Sequence, residues 1–129
     1  MTPRRPRFVT VLLTRVIDDA HDELVQDFIY FSALTVTSEA IVVPAGFVTD
    51  YSSVPRLPFM YWFFGGRAKR PAVIHDYLYA TQHLPRQLAD AIFYEAMQLD
   101  GRRWAQRWSM WAGVRAGGWK AWRDDRRKS

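Results

Sequence analysis

The 129-residue chain contains no cysteine. That absence excludes a disulfide scaffold, a thiol nucleophile and zinc–thiolate sites, and it suits a reducing compartment. Any apolar run long enough to span a bilayer is also missing. The arginine-bearing start MTPRRPRFVTVLL resembles a secretory signal only superficially. Its apolar part, Phe8 to Leu13, is interrupted by Thr10 and no small-residue cleavage site follows, so it is read as a first strand. Negative charge is scarce in the second part of the chain. Residues 1–50 hold four Arg and seven acids, a net of −3, whereas residues 51–129 hold fourteen Lys/Arg and six acids, a net of +8. The basic excess lies mostly after Gly101. It suits nucleic acid, anionic lipid or an acidic protein partner without choosing among them.

What is present is an apolar, aromatic composition, 49% hydrophobic and 16% Phe, Trp and Tyr, which marks a globular chain and not a disordered one. The length predicts one domain. Its expected parts are a sheet over about 8–47, a loop and apolar turn over 48–66, helices over 67–122 and a basic tail over 123–129. The segments 8–17, 24–36 and 41–47 read as strands joined by the polar turns DDAHDE and TSEA, an antiparallel meander. Gln26 breaks the alternation of the second, and Pro44 with Gly46 makes the third an edge strand or one ending in a bulge. Residues 46–58 are a loop by composition, and FMYWFFGG (59–66) is a short buried helical element. Helices are expected over 68–81, with Pro71 confined to the first turn, over 86–99, and from about 103 to 122. The second carries Leu88, Ala91, Ile92, Ala96 and Leu99 as its apolar stripe. Strands first and helices later define an α+β fold, a small N-terminal antiparallel sheet packed against three or four helices.

The first helix raises a question. His75 and Asp76 sit inside the apolar run Val73-Ile74 and Tyr77-Leu78-Tyr79. Residues four apart share a helix face, so His75 lies with Ala72 and Tyr79. Asp76 is rotated by roughly a hundred degrees and lies with Val73 and Ala80. The two side chains therefore need partners on other elements. Asp90 on the next helix shares a face with Phe93 and Met97, expected to be inward. It would orient His75 through one ring nitrogen and leave the other as a general base. The loop Thr49-Asp50-Tyr51-Ser52-Ser53 is the other candidate. Asp50 with Asp76 would make an oxygen-rich site for calcium or magnesium. Each residue also has a plainer reading: His75 as a hydrogen-bonded core histidine, Asp76 as a pin for the 46–58 loop, Asp90 as an exposed acid and Asp50 as a turn or N-cap residue. Ser53 lacks the surroundings of a nucleophile elbow, and His21 and His83 are expected at the surface. A catalytic His75 is expected to line a cleft open to water.

GFVTDYSSVPR, IHDYLY and ADAIFYEAM, occurring in that order, together resemble a family of small proteins of unassigned function encoded by tailed bacteriophages and prophages. The resemblance covers about residues 24–119. It rests on Pro44, Gly46, Phe47, Thr49, Asp50, Ser53 and Pro55, then His75, Asp76 and Tyr79, then Asp90 and Phe93. It implies a phage origin and supplies no activity. The His-Asp-x-x-Tyr helix followed by an Asp-bearing helix is also similar to the core of secreted phospholipases A2. That similarity implies His75 as general base acting through water, Asp76 as a calcium ligand and Asp90 as the acid orienting His75. The glycine-rich calcium loop of those enzymes has no counterpart before His75, and the cysteine many of them carry on this helix is absent.

The last helix carries Trp104, Trp108 and Trp111, with Trp119 and Trp122 continuing the face beyond Arg115. Core packing accounts for at least some of them. Together with Arg107 they would otherwise form an interfacial surface for lipid or a protein partner, or, as the less favoured option, stack on nucleic acid. Besides a small host-takeover protein that binds a host factor or nucleic acid, two functions are thereby expected. One is a metal-assisted His/Asp hydrolase acting on a bacterial envelope component such as a lipid ester. The other is a non-enzymatic virion or tail assembly protein, made in the host cytoplasm and associated with other phage proteins.

Overall fold

A computed structural model describes residues 5–19, 21–35, 40–49, 69–99, 111, 112, 114–116, 119, 122 and 123. Six short strands come first: β1 (Arg7–Phe8), β2 (Thr14–Val16), β3 (Asp22–Leu24), β4 (Phe28–Phe31), β5 (Ile41–Val43) and β6 (Val48–Thr49). They form two three-stranded sheets, ordered β1-β4-β5 and β2-β3-β6, with every pairing antiparallel. Helices α1 (Lys69–Thr81) and α2 (Arg86–Leu99) follow, and the described residues between 111 and 123 are helical. The architecture is α+β, as the order of sequence patterns implies.

The strands differ from the expected meander in one respect: each long strand is split between the two sheets. At the first break the Thr10 hydroxyl takes the place of a backbone group. It accepts from Ile29 N at 2.9 Å and donates to Asp27 O at 3.1 Å, so a side chain replaces the ladder there and the chain turns into the second sheet. Gln26, the residue that breaks the alternation, binds Val11 O at 2.8 Å across the same junction. β5 is an edge strand, as Pro44 requires, and a tight turn follows it. Phe47 N bonds Pro44 O at 3.1 Å and Gly46 has φ +91°, which glycine adopts without steric cost.

Strand alternation places Phe28 and Tyr30 of β4 and Ile41 and Val43 of β5 inward, all buried. They meet Val73, Ile74 and Leu78 of α1 and Ile92 and Ala96 of α2 in one core. Helix α1 lies against β5, β6 and α2. It ends at Gln82, whose φ of 51° and bond to Leu78 O at 3.0 Å close the last turn. The apolar face of α2 is rotated from the expected stripe. Ala89, Asp90, Ile92, Phe93, Ala96 and Met97 are fully buried while Leu99 is 41% exposed, because the helix packs on α1 through the face that carries Asp90. Residues 50–68 and 100–110, with the expected apolar turn and the start of the last helix, lie outside the described residues. Among the described residues no helix is long and apolar enough to cross a membrane.

Candidate functional site

The site is built where α1 and α2 face each other. Tyr79 lies opposite Arg86 and Asp90, and His75 opposite Asp90 and Phe93, the register of an antiparallel helix pair. His75 Nε2 sits 2.8 Å from Asp90 Oδ1, and the Tyr79 hydroxyl donates to the same oxygen at 2.7 Å. Arg115 Nη1 donates to Asp90 Oδ2 at 3.0 Å, and Arg86 Nε stands 3.8 Å from that oxygen. Arg86 Nε also donates to the Tyr79 oxygen at 3.1 Å, so the single phenol proton is directed to Asp90.

Burial by itself would push the Asp90 carboxyl up. The hydrogen bond and charge of His75, with the bonds from Tyr79 and Arg115, outweigh it and hold the carboxyl below its ordinary value. Asp90 is thus ionised and only accepts, so His75 donates to it from Nε2. Burial, then the charge and hydrogen bond of Asp90, raise the Tyr79 phenol well above its ordinary range, with Arg86 opposing in part. His75 is packed between the rings of Tyr79 and Phe93, 4.2 and 4.8 Å away. The expected open cleft is not what surrounds it: His75 and Asp90 are both 0% exposed, because these aromatic neighbours and the core close around the pair. His75 Nδ1 is buried and has no hydrogen-bond partner among the described residues.

Asp76 parts from His75 as helix geometry demands. Its Oδ2 accepts from the Thr49 hydroxyl at 2.6 Å, which ties α1 to β6. Asp50 and Ser53 lie outside the described residues. A calcium cage needs roughly six to eight oxygen ligands. Among the described residues no group of three or more His, Cys, Asp or Glu comes together, so these residues alone do not make one. His21 and His83 are exposed.

The tryptophans have separate fates. Trp122 meets Tyr79 edge-on at 5.1 Å and backs the dyad. Trp119 is 51% exposed, with the Arg123 guanidinium 4.8 Å above its ring. Trp111 borders an open hollow of about 440 Å³ with Leu34, Ala91, Tyr94, Glu95 and Gln98. Trp104, Arg107 and Trp108 lie outside the described residues.

Three contributors escaped sequence reasoning. Arg86 shares the Asp90 face, one helical turn before it, and that spacing was the available signal. Arg115 gave none, being one basic residue in a basic segment. Glu95 is buried and accepts from the Tyr30 hydroxyl at 2.6 Å and Ala33 N at 3.0 Å.

Fold and site define an α+β protein with a sealed His–Asp dyad held by a tyrosine and two arginines. The chain belongs to the protein family of unknown function DUF1353, whose pattern matches residues 6–114. No curated protein and no solved structure matches it.

Proposed function

We propose that His75 and Asp90 form the proton-transfer dyad of a hydrolase that cleaves an ester of a bacterial envelope lipid. The carrying observation is the asymmetry of the imidazole: Nε2 is fixed on Asp90 and Nδ1 is buried without a partner among the described residues. An unsatisfied buried nitrogen costs about 1–3 kcal/mol, a cost that a purely structural side chain avoids by using both nitrogens. His75 is sealed in this structure, so the reaction requires the site to open and admit a water and the ester; a water at Nδ1 would then give up a proton to the imidazole as its oxygen attacks the ester carbonyl. The proton would then pass from Nδ1 to the departing alkoxide, while Asp90 stabilises the transient imidazolium. The similarity to phospholipases A2 assigns these same roles to His75 and Asp90. The three ordered motifs support a tailed-phage origin and, with it, an envelope substrate.

The full burial of His75 and Asp90 favours a second reading, a clamp that fixes the helices of a virion or tail assembly protein. Fatty-acid release from phosphatidylethanolamine–phosphatidylglycerol vesicles, measured in calcium and in chelator, separates the two. As an enzyme, the parent releases fatty acid, and His75→Gln lowers the rate by roughly 100- to 10,000-fold while staying folded. A parent that releases none under either condition, together with a His75→Gln variant that unfolds, sinks the hydrolase and leaves the clamp.

A further inference from the structure

We propose that Arg115 is a positioning residue for the His75–Asp90 dyad, so that the Asp90 carboxylate is aimed at the imidazole only when the Arg115 side chain holds its Oδ2. This rests on reading the pair as a proton-transfer site. The torsion that turns an aspartate carboxylate about its stem is soft and has no sharp staggered well. Two donors on one oxygen leave the plane free to tilt, whereas donors on both oxygens fix it. His75 and Tyr79 take Oδ1, at 2.8 and 2.7 Å, and Arg115 takes Oδ2 at 3.0 Å. Among the described residues Arg115 is therefore the hydrogen-bonding group that holds the far side of the carboxylate and aims Oδ1 at the imidazole.

Its placement is itself enforced. Arg86 Nη2 donates to the carbonyls of Val114 and Arg115 at 2.8 and 2.7 Å while Arg86 Nε holds Tyr79. One guanidinium thus anchors the backbone from which Arg115 reaches back. Val114, at 1% exposure, seats the same turn in the core. The geometry makes a closed circuit, from Arg86 to the Arg115 backbone, from the Arg115 side chain to Asp90, and from Asp90 through Tyr79 to Arg86. His75 is the member that gains a fixed direction from it.

The test reads the imidazole and not hydrolysis, so a parent without esterase activity leaves its outcome intact. In ¹⁵N-histidine-labelled protein at fixed pH, the His75 Nε2–H proton should give a downfield, exchange-protected resonance. Arg115→Gln should move it upfield and speed its exchange with water on the order of tenfold, the equivalent of one weakened charge-assisted bond. Arg115→Lys, which keeps the charge but reaches with a point donor, should move it less and in the same direction. Gln82→Gly is the control. It deletes a different tether of the segment, Gln82 Nε2 to Trp122 O at 2.7 Å, and places glycine at a left-handed position. It should leave the resonance unmoved even if melting falls. A folded Arg115→Gln protein with unchanged position and exchange overturns the proposal. So does a Gln82→Gly shift as large as that of Arg115→Gln, or the absence of a protected Nε2–H in the parent. If the glutamine variant does not fold, the lysine variant decides: a displaced resonance supports positioning, and an unmoved one overturns it.

Discussion

Replacing Asp90 with asparagine keeps the shape of the side chain and removes half its accepting capacity. Aspartate offers two acceptor oxygens where asparagine offers one, with an amide donor in place of the other. If the amide oxygen stays toward His75 and Tyr79, the NH₂ group faces Arg115 Nη1, a donor against a donor where a 3.0 Å bond stood. The flipped amide is worse, because it leaves two donors on α1 facing NH₂. The cheaper arrangement therefore loses the Arg115 bond and the attraction of Arg86 at 3.8 Å. A charge-assisted hydrogen bond is worth roughly 1.5–3 kcal/mol. The Arg115 side chain is 31% exposed, so water screens it and the lower part of that range applies. Adding the donor–donor conflict gives a destabilisation of about 2–3 kcal/mol. The assay is urea unfolding followed by tryptophan fluorescence, with a lower midpoint at unchanged slope. Because the folded carboxyl titrates below its ordinary value of 3.8, its contribution is complete above that pH and is lost as pH falls through the folded value. The difference between parent and variant should therefore narrow in acid. A loss under about 0.5 kcal/mol at neutral pH, or a difference that widens in acid, refutes the network.

Three other perturbations probe the core, the buried phenols and the turn after β5. Tyr30→Phe strips Glu95 of its 2.6 Å partner and leaves, among the described residues, Ala33 N on the carboxylate, a cost of about 1–3 kcal/mol by urea unfolding. The Tyr30 and Tyr79 phenols are both held well above their ordinary 10.0, chiefly by burial. Their contribution is complete below pH 10 and lost as pH rises through the folded values, so ultraviolet titration should leave at least these two of the six tyrosines un-ionised until the protein unfolds. All six ionising together in folded protein would contradict this. At Gly46, φ is +91° and an added Cβ meets nothing within 4 Å, so Gly46→Ala should cost backbone strain alone, about 1–2 kcal/mol. No measurable loss would show that the turn relaxes.

Much of the site was legible because it depends on local periodicity. That His75 and Asp76 face different ways follows from helix rotation, and they do part, to Asp90 and to Thr49. That Asp90 points inward follows from its spacing to Phe93 and Met97, both fully buried. The helix over 86–99 stands where the pattern puts it. The strand breaks were not legible, since Thr10 serves β4 by bonding Ile29, nineteen residues away. The exposure of Leu99 was not legible either. Its stripe and the Asp90 face are both apolar enough to bury, and only packing against α1 chooses between them.

The amino-acid order alone determined which side chains share a face, where α1 and α2 run, and that strands precede them, because these follow from a repeat of two or of 3.6 residues. Only the tertiary structure decided which faces meet. It brought Arg115 to Asp90 and Glu95 to Tyr30, sixty-five residues apart in the latter case, and it sealed His75 from water. Burial and ion pairing of this kind are sums over neighbours distant in the chain, and no local spacing encodes them.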